Sequence, residues 1–336
     1  MNQISPVVGI DVSKLKLDVA LLVQGKVRSK VVSNNPAGYA DLRAWLLKYG
    51  QVLSGLPVCM EATGPYSEPA AIALSDMGMA VSVVNPARVK GFAQSEMLRN
   101  KTDRVDAALL ARFCAVMQPE PWTPPSLPHR QLRAWVERLQ ALKEMRQQES
   151  NRLQGHELLG EPALTRNVQQ HIDWLDAQIK QLEKNIDDHI DQHPALTRDA
   201  ELISTIPGVG ATTAAKVLAY AGDIRRFSNA KALAAFAGVT PRQRQSGTSV
   251  RGRTTISRCG HQLLRTALYM PGLVARRRNP VLKAFGDRLQ ANGLAPKAVI
   301  GAVMRKLIHT IYGVVTSGKP FDPLVANKKL DFQDGI

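Results

Sequence analysis

Five prolines within twelve residues, Gln118-Pro-Glu-Pro-Trp-Thr-Pro-Pro-Ser-Leu-Pro-His129, divide this 336-residue chain into two parts that no single regular element can bridge. Each proline removes a backbone donor and biases its predecessor toward extended geometry, so residues 118–129 read as a linker. Before it the order is strand (Val7 to Val12), strand (Leu15 to Val23), strand (Val27 to Val32), helix (Tyr39 to Tyr49), a strand ending in Glu61, helix (Glu68 to Met77), strand (Ala80 to Val84) and a helix bearing Asp103. Three antiparallel strands followed by alternating helices and strands predict an α/β domain over residues 1–117.

Behind the linker the pattern is all-α. Leu132, Trp135, Leu139 and Leu142 lead one long helix, and Ile172, Leu175, Ile179, Leu182, Ile186 and Ile190 mark a second, mostly in three- and four-residue steps. This predicts a coiled-coil hairpin or oligomer seam over residues 130–194, a stripe that serves packing and carries no chemistry. A C-terminal helical domain is expected over 199–325. Within it, residues 201–219 read as helix, Pro-Gly-Val-Gly turn and helix, the pattern of a helix-hairpin-helix. Gly208 and Gly210 would there let backbone N–H groups approach a phosphate. A tight helical turn without a ligand explains the same residues.

Four carboxylates suit a divalent-metal site. Asp11 lies near the end of the apolar run Val7–Val12, and Glu61 ends a second such run before small turn residues, so two acids leave strand ends. Asp103 and Asp106, three apart in a helical pattern, share a helix face. Magnesium prefers carboxylate oxygens, and two such ions about 3.5 to 4 Å apart stabilise the attacking and leaving oxygens of a phosphodiester. Singly, each acid has a structural explanation: a strand-end turn residue, a surface acid, or an acid favoured by a helix N-terminus. It is the combination that points to chemistry.

The charge balance points to a polyanion: 44 Lys and Arg against 28 Asp and Glu give +16. From Pro241 to Thr310 fourteen basic residues face one acid, Asp287, a repulsion that a solvated surface would leave uncompensated. No uninterrupted apolar run long enough for a bilayer and no signal pattern are seen, which excludes the membrane and favours the cytoplasm. Cys59, Cys114 and Cys259 lack the spacing of a zinc site or disulfide framework. Residues 245–253, Gln-Ser-Gly-Thr-Ser-Val-Arg-Gly-Arg, read as a loop or hairpin between helices. Arg242, Arg244, Arg251, Arg253 and Arg258 are candidate nucleic-acid contacts around Ser246. Spacing alone favours a phosphate-contacting loop, with a serine nucleophile stabilised by guanidinium groups as the sharper alternative. His261, Arg265 and Tyr269 imitate fragments of a tyrosine-recombinase box, but their four-residue steps are read as one helix face.

Asp11, Glu61-Ala-Thr-Gly-Pro-Tyr66, Asn85-Pro86, residues 99–106, Ile206-Pro-Gly-Val-Gly210, Ala237-Gly-Val-Thr-Pro241 and Ser246-Gly-Thr-Ser-Val-Arg-Gly252 together resemble bacterial insertion-sequence transposases with a DEDD tetrad. These are relatives of the Piv/MooV DNA invertases, and some are bridge-RNA-guided recombinases. The resemblance spans Gly9 to about Pro323. It implies an RNase H-like (RuvC-like) domain whose Asp11, Glu61, Asp103 and Asp106 bind Mg2+ and act in catalysis. It also implies a C-terminal serine that becomes covalently joined to DNA, here Ser246, with Ser249 the nearest rival and Ser257 third. Implied partners are double-stranded donor and target DNA, a noncoding guide RNA in some members, and further copies of the chain in a dimer or tetramer associated with the nucleoid. The alternatives are a metal-dependent nuclease of the Holliday-junction kind and a nonenzymatic nucleic-acid-binding assembly protein.

Overall fold

Apolar, β-branched runs form the five strands of the N-terminal part: β1 (Val7–Val12), β2 (Lys16–Val23), β3 (Lys26–Ser33), β4 (Pro57–Glu61) and β5 (Ala80–Val84). The computed structural model describes residues 5–62, 64–96, 103–242, 245–246, 250–251 and 255–325, with backbone alone at Pro65, Asp103, Arg104, Gln245, Ser246, Val250 and Arg251. It divides into two units, Met1–Pro124 and Pro125–Ile336.

In the first unit the sheet order is β3-β2-β1-β4-β5, with β1, β2 and β3 antiparallel and β4 and β5 parallel to β1. This mixed sheet is consistent with a RuvC-like domain. The turn from β2 to β3 is Gln24-Gly25, both at positive φ (47° and 75°), the two-residue geometry that matches strand twist. Helices α1 (Pro36–Lys48) and α2 (Ser67–Asp76) cover the face of Val8, Ile10, Val19 and Met60. Helices α3 (Pro86–Ser95) and α4 (Asp103–Met117) cover the face of Val7, Ala20, Leu22 and Cys59. Burial on both faces explains why β1 and β4 read as nearly continuous apolar runs.

Helix α3 was not anticipated. Only Val89 of its ten residues is buried, so it shows no apolar stripe, but its start is signalled locally. The Asn85 side chain accepts from the Ala87 N–H at 2.8 Å and Pro86 occupies the first turn, where a missing N–H costs nothing.

The proline-rich segment is irregular but not loose. Trp122 N–H donates to the Val81 carbonyl at 2.6 Å, and the Ser82 hydroxyl lies 2.9 and 3.0 Å from the carbonyls of Pro119 and Glu120. Its C-terminal end corrects the expected boundary at 129, because helix α5 (Leu127–Leu159) already contains Pro128 in its first turn.

In the second unit α5 packs along α6 (Pro162–Asp191), turning at Gly160 with φ 69°. Leu132, Val136, Leu139 and Leu142 meet Leu175, Leu182, Ile186 and Ile190 in one core. Trp135, expected in that stripe, is 38% exposed, and Val136 takes the buried position. Lys143–Glu183 (2.6 Å) and Arg146–Asp176 (2.9 Å) bridge the two helices. The chain continues through α7 (Pro194–Ser204), α8 (Ala211–Ala221), α9 (Ala230–Ala237), the short strands β6 (Pro241–Arg242), β7 (Gln245–Ser246), β8 (Val250–Arg251) and β9 (Thr255–Ile256), then α10 (Gln262–Ala267), α11 (Tyr269–Arg278), α12 (Pro280–Ala291) and α13 (Pro296–Ser317).

Helix α13 is apolar and long enough to cross a membrane by length and composition, although Arg305 and Lys306 interrupt it. Val303, Leu307, Ile308, Ile311 and Val315 are buried, making it a spine against which α7, α9, α11 and α12 pack. The inner ends of α5 and α6 share that core.

Candidate active site

Strand alternation fixes which side each acid faces. Residues 7, 9 and 11 of β1 point away from the Val8–Ile10 side, toward α4, and the same parity puts Asp18 of β2 and Glu61 of β4 on that face. Asp11 lies directly opposite Asp18 in the antiparallel register. Ile10 aligns with Met60 in the parallel one, so Asp11 and Glu61 are the next residues along neighbouring strands.

Helix α4 packs on the same sheet face through its buried stripe. Leu110 and Phe113 are each 1% exposed, and the same stripe continued backward in three- and four-residue steps reaches positions 106 and 103. The Asp103 side chain lies outside the described residues. Gly9 determines how close α4 can come: a Cβ there would overlap the Ala107 carbonyl and the Ala111 amide, both backbone. Only glycine lets the helix carrying Asp106 lie this tightly on the strand carrying Asp11. A second tie lies beside it, where the buried thiols of Cys59 (β4) and Cys114 (α4) share a hydrogen bond that, with burial, holds Cys59 well above the usual thiol range.

Asp18 was missed by the sequence reading. The signal was available, since it is the one acid inside the apolar run Leu17–Val23. It is 7% exposed and its carboxylate lies 3.0 Å from Lys16 Nζ. Asp18 thus stands across the strand pair from Asp11, with Lys16 already beside it. Hard oxygen donors of this kind suit Mg2+. Among the described residues, no three His, Cys, Asp or Glu side chains are gathered at metal-ligand spacing.

In the second unit the glycine- and serine-rich segment forms two short antiparallel ladders of two pairs each. Pro241 pairs with Ile256 and Arg242 with Thr255, then Gln245 with Arg251 and Ser246 with Val250. Ser246 is thus the last residue of β7, paired with Val250 at the start of β8. Arg244, Ser249 and Arg253 lie outside the described residues, as do the side chains of Ser246 and Arg251.

The base of this hairpin is fixed to the helical body. Ser257 N–H donates to the Thr240 carbonyl at 2.8 Å, and the Ile256 side chain fills the space left by Gly301 of α13. Arg258, at φ 55°, has its carbonyl held by the Arg265 guanidinium at 3.2 Å. The Ser257 hydroxyl accepts from the Cys259 N–H at 3.3 Å, the role of a turn-forming serine.

The expectation that His261, Arg265 and Tyr269 share one helix face does not hold. His261 precedes α10 and caps it from outside, its Nδ1 accepting from the Leu264 N–H at 3.2 Å, whereas Leu268, helical in its own dihedrals, joins α10 to the helix that Tyr269 begins. The imidazole lies near the Tyr220 and Phe236 rings, and burial, followed by Arg133 and Arg265, pushes its pKa down. A polar side chain satisfying a helix terminus has outweighed the four-residue spacing.

Between α7 and α8, Gly208 has φ 99° and its missing Cβ leaves room for the Ala275 backbone of α11, so its glycine requirement has a packing cause. Gly210, exposed with open space around it, caps α8 without a side chain.

The two parts, a mixed α/β domain with acids on one sheet face and a basic helical domain, match enzymes that act on DNA in transposition or recombination. The chain matches "Transposase", DEDD_Tnp_IS110, over residues 8–159 and "Transposase IS116/IS110/IS902 family" over residues 200–287. It is 34% identical over 316 residues to the "Pilin gene-inverting protein" of Moraxella bovis, covering 94% of this chain and 97% of that protein. The protein of the same name from Moraxella lacunata matches equally, at 34% over 316 residues. The "Transposase for insertion sequence element IS1111A" of Coxiella burnetii is 33% identical over 108 residues, 31% of this chain and 29% of that protein. The chain belongs to this family of insertion-sequence transposases and DNA-inverting proteins.

Proposed function

We propose that this transposase cuts and rejoins double-stranded DNA through a phosphoserine ester on Ser246. The Ser246 oxygen attacks a backbone phosphorus; a serine–phosphorus bond forms as a sugar–phosphorus bond breaks. The hydroxyl proton passes to a base and the departing sugar oxygen takes up a proton. The reverse attack by a new strand end then rejoins DNA without loss of phosphodiester energy. The observation that carries the reading is the pairing of Ser246 with Val250, which sets the serine at the end of a short strand within an arginine-rich stretch of the sequence. Guanidinium groups brought to a phosphate would stabilise the negative charge that develops on it.

Asp11, Glu61, Asp103 and Asp106 would hold Mg2+, which when bound supplies a Lewis acid for phosphate oxygens. Their proposed convergence is supported by the shared face of Asp11 and Glu61 and by the close approach of α4 at Gly9. Arg242, Arg244, Arg251, Arg253 and Arg258 would bind the DNA backbone, with Gly210 and the α8 N-terminus acting as a helix-hairpin-helix. The α5–α6 hairpin would serve as a coiled-coil seam in a homodimer or tetramer, and a structured noncoding RNA would specify donor and target.

Denaturing gels with labelled DNA, Mg2+ and RNA transcribed from the flanking sequence test this. A protein–DNA adduct is expected for wild type and Ser249→Ala and not for Ser246→Ala. Cleaved DNA without an adduct in every variant would instead support a metal-dependent nuclease.

A further inference from the structure

The surface of the second unit has an open pocket of about 440 Å³ lined by α11, the end of α12 and the start of α13, away from the serine hairpin in sequence. Its volume lies within the roughly 300–1,000 Å³ range of small-ligand sites. Tyr269, Leu273 and Arg277 recur every four residues on α11, and so form one wall along a single helix face. Opposite them stand Lys297 and Ile300, and Gln290 reaches in from α12.

The chemistry of the walls is specific. Tyr269 is 46% exposed, an aromatic surface that folding has not used. Arg276 is already engaged, donating to Asp287 at 2.6 Å and to the Gln290 Oε1 at 3.3 Å. That contact occupies the Gln290 oxygen and leaves its NH2 as a donor. Asp287 is also held by Lys283 at 3.1 Å, so the acid is spent within its own cluster. Among the described residues Arg277 and Lys297 have no hydrogen-bond or ion-pair partner, and both are exposed. The pocket therefore offers an aromatic face, apolar contacts, one amide donor and two cations.

We propose that this pocket binds an unstacked nucleotide, its base against Tyr269, Leu273 and Ile300 and its phosphate on Arg277 and Lys297. The inference rests on the reading that the chain acts on nucleic acid, and names a second subsite for it. A base held in a duplex cannot reach an apolar wall, so the ligand is a single-stranded or locally opened strand. The Gln290 NH2 favours bases that present carbonyl acceptors. DNA and RNA strands share this chemistry.

The test uses the full chain and fluorescein-labelled 12-mers of dT and of U, with a 30-base-pair duplex for comparison, read by anisotropy. Stacking on one aromatic ring contributes about 1–3 kcal/mol, so Tyr269→Ala is expected to weaken single-strand binding by at least roughly fivefold. Tyr269→Phe, which keeps the ring face, should bind like wild type, and duplex affinity should be unchanged in both. Leu273→Trp, which fills the pocket, should reproduce the loss and decides the matter if Tyr269→Ala does not fold. The tighter of the two 12-mers assigns the source strand. Wild-type single-strand affinity in both Leu273→Trp and Tyr269→Ala, or equal losses on duplex and single strand, would overturn the proposal. Adduct formation by the same preparations separates the two readings. An adduct with no effect of the pocket variants retires the pocket alone, and a pocket effect without any wild-type adduct retires the serine chemistry alone.

Discussion

Replacing Gly9 with alanine tests whether the fit between β1 and α4 sets the carboxylate arrangement. The added methyl would lie more than about 1 Å inside ordinary contact with both the Ala107 carbonyl and the Ala111 amide. Neither atom belongs to a side chain that can rotate away, so α4 must move as a body. Overpacking of this kind costs about 1–3 kcal/mol, and a unit of this size loses roughly 3–5 °C in Tm per kcal/mol. Asp106 precedes Ala107 directly and travels with it. A displacement of about 1 Å at a reacting centre costs on the order of a hundredfold in rate. We therefore expect Gly9→Ala to melt several degrees lower and, at a temperature where it is still folded, to form adduct on the order of a hundredfold more slowly. Thermal melting followed by circular dichroism, with adduct kinetics on the same preparation, measures both. Wild-type stability and rate together would refute the claim that this contact holds the acids in place.

Three further outcomes follow from the same structure. Asp18→Asn should raise the Mg2+ concentration needed for half-maximal adduct formation, because a carboxylate opposite Asp11 is lost; an unchanged Mg2+ titration would remove Asp18 from the site. Burial, with Arg305, Lys306 and Lys231 behind it, depresses the His309 pKa to about 4, below its unfolded value of about 6.5. The folded state thus binds fewer protons than the unfolded, so this stability is full above pH ~6.5 and declines as pH falls toward 4. Tm against pH should show that decline, and His309→Gln should flatten it. Asp199, 5% exposed, accepts two 2.7 Å bonds from Arg225, which also donates to the Val315 carbonyl at 3.1 Å. Since Arg225 is itself partly exposed, Arg225→Ala should cost about 2–3 kcal/mol rather than the full penalty of a buried, unpaired charge, as read from urea denaturation.

Much of the fold was legible because burial leaves a periodic mark. The strands from Val7 to Val84 announced themselves by β-branched runs, and Ile172 to Ile190 by helical spacing. Where burial is slight, the mark fades, as in α3, which local capping alone reveals. Asp18 escaped because an acid within an apolar strand reads as an exception until the register sets it against Asp11. Pro128 misled because proline in a first helical turn resembles proline in a linker. The tight approach at Gly9 could not be read at all, since it depends on a helix nearly a hundred residues away in the chain.

The central claim is a covalent bond from DNA to one serine, and its most direct measurement is tandem mass spectrometry of the trapped protein–DNA complex. Trypsin cuts after Arg244 and Arg251 and releases Gln-Ser-Gly-Thr-Ser-Val-Arg, which holds Ser246, Thr248 and Ser249. We expect the residual nucleotide mass on the fragments that contain Ser246 and not on those beginning at Gly247. Nucleotide mass on Ser249, on any other residue, or on no peptide of an active preparation would contradict the account.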